Sequence, residues 1–236
     1  MGSRKVIYDF GNKKVYEGDT ETHLIQSFTD TITSHNGKMT GRLKGKGRLN
    51  NAISAYLFDY LHSYNVSTHF SEKLNESEMK VIRTEQIPID VVVRNTAIGP
   101  VARQFGLKDP SDLESPFIEY YYNVDFVKYP QINESHIHAL NLAESESIRN
   151  MSMEITKSNA VLKPLFERRD MKLAEFRIRF GLFDGRVMIT GEFNPDTCRL
   201  RDAVTDEILD CDRYLKDGSR TVKIYQEVHD RLIGMG

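Results

Sequence analysis

The chain has 236 residues, 39% of them hydrophobic and 28% charged, with a formal net charge of −2. That balance is ordinary for a globular protein and gives no bulk electrostatic case for binding nucleic acid or a membrane surface. No apolar run approaches the roughly 20 residues that span a bilayer, and residues 1–18 lack the apolar stretch of a secretion signal. The two cysteines, Cys198 and Cys211, form no metal-binding spacing and read as reduced thiols of a cytoplasmic protein. The length suits one enzyme of two closely joined lobes.

Residues 5–8 and 14–16 are strand-like runs around Gly11-Asn12 and read as a hairpin. Residues 24–29 predict a third strand. The stretch 34–47 is polar and dotted with glycine, which reads as a loop. Asn50 is placed to cap a helix over 51–64, where Ile53, Leu57, Tyr60 and Leu61 recur at helical spacing. Residues 66–70 and 79–85 read as strands. The run IPIDVVVR over 87–94 is the strongest strand pattern in the chain because most of it is β-branched. Residues 118–127 are aromatic and strand-like. A long helix is expected from about His136 or Ala143 to about Glu167, with Leu140, Ile148, Met151, Ile155 and Leu162 on or near one face. Residues 173–180 and 185–190 read as strands turned at Asp184-Gly185. A last helix over 219–232 presents Val222, Tyr225 and Val228. Strands and helices mix without strict alternation, so the expected class is α+β. The expected division is a β-rich lobe over 1–83 and a larger α+β lobe over 84–236, with a ligand cleft between them.

Several stretches stand out by sequence. They are Gly45-Lys46-Gly47-Arg48-Leu49-Asn50-Asn51, the run from Ile87 through Arg94 to Ala97-Ile98-Gly99, and Glu192-Phe193-Asn194-Pro195-Asp196-Thr197-Cys198-Arg199-Leu200. The Asp210 to Arg213 turn leads to a helix with Tyr225-Gln226-Glu227-Val228, and Thr68-His69-Phe70 and Glu119-Tyr120-Tyr121-Tyr122 lie between. In this order and spacing they resemble the SAICAR synthetase family of purine biosynthesis over nearly the whole chain.

The resemblance implies a fold and a chemistry. The fold is two-lobed, an N-terminal antiparallel sheet packed on a larger ATP-grasp-like lobe. The chemistry is ATP-driven. ATP phosphorylates the carboxylate of carboxyaminoimidazole ribonucleotide, and the amine of aspartate then displaces phosphate to form an amide. Such a reaction needs positive charge around the triphosphate and Mg²⁺ held by carboxylates. By resemblance, Arg94 and Arg199 hold the ribonucleotide, with Lys46, Ala97 and Gly99 beside it. Lys13, Lys14 and Gly11 of the hairpin cover ATP, and Asp196, Glu192 and Glu175 are the catalytic candidates. A homodimer is implied in the same way.

Some positions depart from the family pattern. The hairpin reads Phe10-Gly11-Asn12-Lys13 where the family has Gly-Lys-Ala-Lys, and Pro100 replaces a serine. Asn123 stands for a lysine, Tyr129 for an aspartate, Arg179 for a glutamate, and Gly191 for the aspartate before Glu192. The last two are the family's metal-side carboxylates, and an arginine there places like charge beside a cation. The expectation is a purine-nucleotide protein whose ATP–Mg²⁺ ligation is altered or weakened. The alternatives are a working synthetase with a remodelled ATP site, in which Glu192, Glu175 and Asp196 supply a displaced metal site, and a nucleotide-binding regulator.

Overall fold

A computed structural model describes residues 4–34, 39–124, 128–215, 217–218 and 220–234. Positions 125–127 of the strand expected over 118–127, Ser219 of the last helix, and 35–38 of the expected loop lie outside the described residues.

Three antiparallel strands open the chain, β1 (Val6–Asp9), β2 (Lys13–Glu17) and β3 (His23–Phe28), matching the expected hairpin and third strand. β4 (Thr31–Ser34) and β5 (Met39–Arg42) then pair as a ribbon in which Ile32 is fully buried. The loop expected over 34–47 is therefore partly strand, and from Lys46 it is already helix α1 (Lys46–His62).

That early start corrects the reading of Asn50 as a cap. The cap comes from elsewhere in the chain. The Asp30 carboxylate accepts the backbone N–H groups of Gly45 and Gly47, each at 3.1 Å, and so engages donors at the helix N-terminus that have no partner within the helix. Gly47 is needed there because a Cβ would lie 2.6 Å from the Phe28 carbonyl oxygen. Asn50 falls in the second turn, buried and turned inward.

The strands β6 (Phe70–Lys73) and β7 (Glu78–Ile82) complete a first sheet in the order β1-β2-β3-β7-β6. The rest of the chain runs β8 (Glu85–Ala97), α2 (Pro100–Gln104), β9 (Ser111–Tyr122), β10 (Gln131–Ile132), α3 (Glu134–Ala139), α4 (Ser145–Glu167), β11 (Met171–Phe183), β12 (Arg186–Thr190), β13 (Cys198–Asp202), a 3-10 turn at Cys211–Leu215 and α5 (Thr221–Ile233). Of the two starts expected for the long helix, the later one near Ala143 matches α4, and the stretch from His136 belongs to the separate short helix α3. Asn141 takes a left-handed φ of 51° between them, a conformation asparagine tolerates better than most residues.

The second sheet has the order β10-β9-β8-β11-β12, with β13 also paired to β11, and its ladders are antiparallel. The turn from β11 to β12 has left-handed φ at Asp184 (49°) and Gly185 (74°), as a two-residue I′ hairpin requires. The two sheets meet where the His69 N–H donates to the Ile189 carbonyl and the Ile189 N–H to the Ser67 carbonyl, both at 2.9 Å. Helix α4 packs across β11 and β12, and α1 packs against α5. The architecture is α+β with antiparallel sheets, as expected from the mixed order of elements. No helix among the described residues is long and apolar enough to cross a membrane.

Candidate functional site

In the ladder between β8 and β11, Arg94 is opposite Glu175 and Asp90 is opposite Arg179. Side chains two residues apart on a strand share a face. Phe176, Ile178 and Phe180 are buried in the core, so Glu175, Arg177 and Arg179 form a row on the other face. That row lines a cleft between the two sheets.

The cleft has two chambers. One, of about 360 Å³, is polar and is lined by Glu175, Arg177, Glu192, Asp196 and Arg199, among others. The other, of about 430 Å³, has apolar walls from Val15, Leu24, Val81, Ile87 and Pro88. Phe10, Lys13, Arg179, Thr190 and Gly191 line both and form the junction.

Alternation along β2 decides which hairpin lysine enters. Lys13 is buried and pairs with Glu192. Lys14 lies on the opposite face and pairs with Asp9 at 3.0 Å, so the structure brings Lys13 and not Lys14 to the junction. Gly11 takes φ +78° at the turn, and its carbonyl accepts the Thr29 hydroxyl at 2.7 Å.

Asp196 gathers the most partners. Lys46 Nζ donates to its Oδ2 at 2.6 Å, Asn50 Nδ2 at 2.8 Å and Asn12 Nδ2 at 3.3 Å, while the Tyr225 hydroxyl donates to Oδ1. Burial opposes the charge on this carboxylate, but Lys46 and these donors together hold its pKa below the usual range. Helix α1, the hairpin and α5 thus all converge on one oxygen pair.

Arg199 lines the polar chamber, its Nε 2.9 Å from Asp212 and its Nη1 3.3 Å from the Cys211 sulfur. Arg94 sits one strand further back. It donates from Nε and Nη2 to Glu119 at 3.0 and 2.9 Å and from Nη1 to Glu175. Arg94 therefore meets the chamber through Glu175. Ala97 is buried at the end of β8, and the Gly99 N–H donates to Asp109 at 2.9 Å. Both lie beyond Arg94 on the chain and away from the chamber's named walls.

Sequence reading missed Asp90. This buried carboxylate accepts Arg179 Nε at 2.9 Å, Asn123 Nδ2 at 2.7 Å and the Tyr129 hydroxyl at 2.7 Å. Arg177 stacks over the Tyr129 ring at 5.5 Å. Asn123, Tyr129 and Arg179 thus form one network around one acid. The available signal was Asp90 itself, a charge within the β-branched run IPIDVVVR, because a charge inside a core strand demands partners. Gln26 was missed as well, and His69 was noted only within the stretch Thr68-His69-Phe70, with no role. Their Nε2 atoms donate to the Gly191 carbonyl at 3.2 and 3.1 Å. Gly191 holds φ +94°, which a residue with a side chain adopts only under strain.

The carboxylates of the cleft do not suit Mg²⁺, which takes oxygen ligands in near-octahedral geometry and is anchored by carboxylates. Glu175 is paired with Arg94, Glu192 with Lys13, Asp196 with Lys46 and Asp90 with Arg179. Glu192, Asp196 and Asp90 each carry their own cation, Glu175 shares Arg94 with Glu119, and two of those cations, Lys13 and Arg179, stand in the junction. Asp210, Cys211 and Asp212 lie within ligand distance of one another, but a thiol is a poor ligand for a hard cation and Asp212 is paired with Arg199.

Comparison with known proteins agrees with the motifs. The family model described as SAICAR synthetase matches residues 7–232. Phosphoribosylaminoimidazole-succinocarboxamide synthase of Thermoanaerobacter sp. (strain X514) is 38% identical over 235 residues, covering 100% of each chain. The crystal structure of the synthase of that name from Ehrlichia chaffeensis superposes with a TM-score of 0.92 at 33% identity, covering 98% of this chain and 100% of that one. A SAICAR synthetase in complex with ADP superposes with a TM-score of 0.92 at 31% identity, covering 98% of both. With a family model matched across almost its whole length, and with relatives of the same length on the same fold, the chain belongs to the SAICAR synthetase family.

Proposed function

We propose that the protein is a working SAICAR synthetase of purine biosynthesis. It joins the amine of aspartate to the carboxylate of carboxyaminoimidazole ribonucleotide with ATP as the driving reagent, in the cytoplasm. The observation that carries this reading is the two-chambered cleft. An apolar chamber opens through a cationic junction into a polar chamber walled by Glu175, Arg177, Glu192, Asp196 and Arg199. The apolar chamber suits a purine base, the junction its phosphates, and the polar chamber a phosphorylated ribonucleotide with carboxylates.

Full-length identity to ligases of that name, and the likeness to a family member holding ADP, support a working enzyme over an altered one or a regulator. Within it, Arg199 grips an anionic group of the ribonucleotide directly. Arg94 holds Glu175 in place, and Lys46 does the same for Asp196. Complementation of a purine auxotroph lacking this ligase tests the reading. Growth without added purine is expected. A soluble, expressed protein that fails to rescue growth would argue for the altered enzyme.

A further inference from the structure

Any ligand that spans both chambers must pass Arg179 and Lys13, which line each of them. Arg179 is fixed there. Its Nε donates to Asp90 at 2.9 Å, and the same carboxylate is anchored by Asn123 and Tyr129 at 2.7 Å each. The guanidinium also lies over the Phe10 ring, 5.6 Å from its centre, and Lys13 Nζ lies 5.3 Å from the same centre. Burial drives the Lys13 ammonium below its usual pKa, Arg179 adds to that, and Glu192 opposes it. Each cation is matched by a carboxylate, Lys13 by Glu192 and Arg179 by Asp90, and both line the passage between the chambers, where a phosphate can engage them by charge-assisted hydrogen bonds.

Of the nearby acids, Glu192, Asp196 and Asp90 each pair with a cation of their own, and Glu175 shares Arg94 with Glu119. At Gly191 there is no side chain to supply one, and the φ of +94° opposes adding it.

We propose that Arg179, with Lys13, is the resident cation for the phosphate chain of the bound nucleotide, and that nucleotide affinity in this chain does not depend on a divalent ion held by protein carboxylates. Asp90 serves as the positioning residue that aims Arg179, with Asn123 and Tyr129 supporting it. The inference rests on the reading that a nucleotide bridges the two chambers.

Calorimetric titration of the full chain with ADP, once with excess Mg²⁺ and once with EDTA, tests it. The two dissociation constants are expected to agree within about threefold. A weakening of more than about tenfold in EDTA would overturn the proposal while leaving the synthetase reading standing. No ADP binding in either buffer would overturn the proposal and the placement of the nucleotide together. If ADP binds without Mg²⁺ but the auxotroph is not rescued, the proposal survives and the synthetase reading fails.

Two variants sharpen the result. Arg179→Gln, checked for folding by its thermal transition, is expected to lose about tenfold or more in EDTA. Unchanged affinity would count against Arg179. If the wild type needs Mg²⁺ and Glu192→Gln abolishes that need, the ion sits on Glu192 and the proposal is wrong.

Discussion

Arg179 and Asp90 face each other across the ladder of β8 and β11, Nε to Oδ1 at 2.9 Å, with Asp90 almost wholly removed from solvent. This pair takes a charge that the row Glu175, Arg177, Arg179 would otherwise leave uncompensated and turns it into a fixed feature of the junction. Asn123 and Tyr129 close the remaining acceptor sites of Asp90. Burial, Asp90 and Arg179 all act on Tyr129. Burial and Asp90 push its hydroxyl above the usual range, against the neighbouring cations, so it stays a proton donor to Asp90.

Asp90→Asn is therefore expected to lower unfolding stability by about 2–4 kcal/mol, because it leaves a largely buried guanidinium without its counter-charge. The figure is held below the top of the range for buried pairs because Arg179 keeps about a third of its side chain in contact with solvent (34%). Urea unfolding measures the loss. Adding Arg179→Met should recover part of it, since the pair then disappears together. A double variant no more stable than Asp90→Asn alone would show that the network, and not the ion pair, sets the cost.

Asp196 and Lys46 pose the same question with less solvent present. Lys46 is fully buried and its ammonium is 2.6 Å from Asp196. Asp196→Asn removes the charge that holds it, and about 3–5 kcal/mol should be lost. Lys46→Met combined with Asp196→Asn should be more stable than Asp196→Asn alone. Strictly additive effects in the four-way cycle would mean that the two side chains are not energetically coupled.

The limits of the sequence reading follow from geometry. The strand at 87–94 and the hairpin at Asp184-Gly185 were legible, because their signals are local: β-branched density in one case, a turn dipeptide in the other. Which hairpin lysine enters the cleft was not legible. A one-residue difference in β2 sends Lys13 inward and Lys14 outward, and only pairing with β3 sets that phase. Asn50 misled for a related reason. Its cap-like sequence could not reveal that Asp30, fifteen residues before Gly45, already caps α1. Asn123, Tyr129 and Arg179 each drew notice in the sequence one by one. Their convergence on Asp90 required the register of β8 against β11, which no single chain of residues displays.

Arg199 should dominate ribonucleotide binding. It lines the polar chamber, and its partner Asp212 is more than a third exposed (39%), so little stability rests on the pair. Arg199→Ala is expected to weaken binding of the family ribonucleotide by about 10–100-fold, the loss of one or two charge-assisted hydrogen bonds, with a small change in thermal midpoint. Arg94→Ala should act differently. It strands Glu119 and Glu175 beside each other and should cost stability as well as binding. Calorimetry and thermal unfolding on both variants separate the two roles. Unchanged ribonucleotide affinity in both would refute their assignment to this site.

His69 makes a pH-dependent prediction that needs no ligand. Its ring is buried, with Nε2–H donating to the Gly191 carbonyl at 3.1 Å. Burial lowers its pKa to about 3, the bond to Gly191 opposes this, and Lys13 adds to it. The unfolded value is about 6.5. Above that pH neither state holds the extra proton, so His69 gives no slope. As pH falls below about 6.5, the unfolded chain takes up a proton that the folded chain refuses, and stability is lost by up to about 1.4 kcal/mol per pH unit. The loss continues until the folded pKa near 3 is approached. His69→Gln keeps an N–H donor for Gly191 and removes the titration. Urea unfolding of both proteins across a series of pH values isolates the effect, since the other titrating groups are shared. The free-energy difference between them should be level above about pH 7 and should move steadily in favour of the variant below about pH 6. A constant offset through that range would mean that His69 is protonated in the folded state. The Gly191 carbonyl would then be held by a charged ring beside Lys13, and the junction would carry one more cation than its geometry suggests.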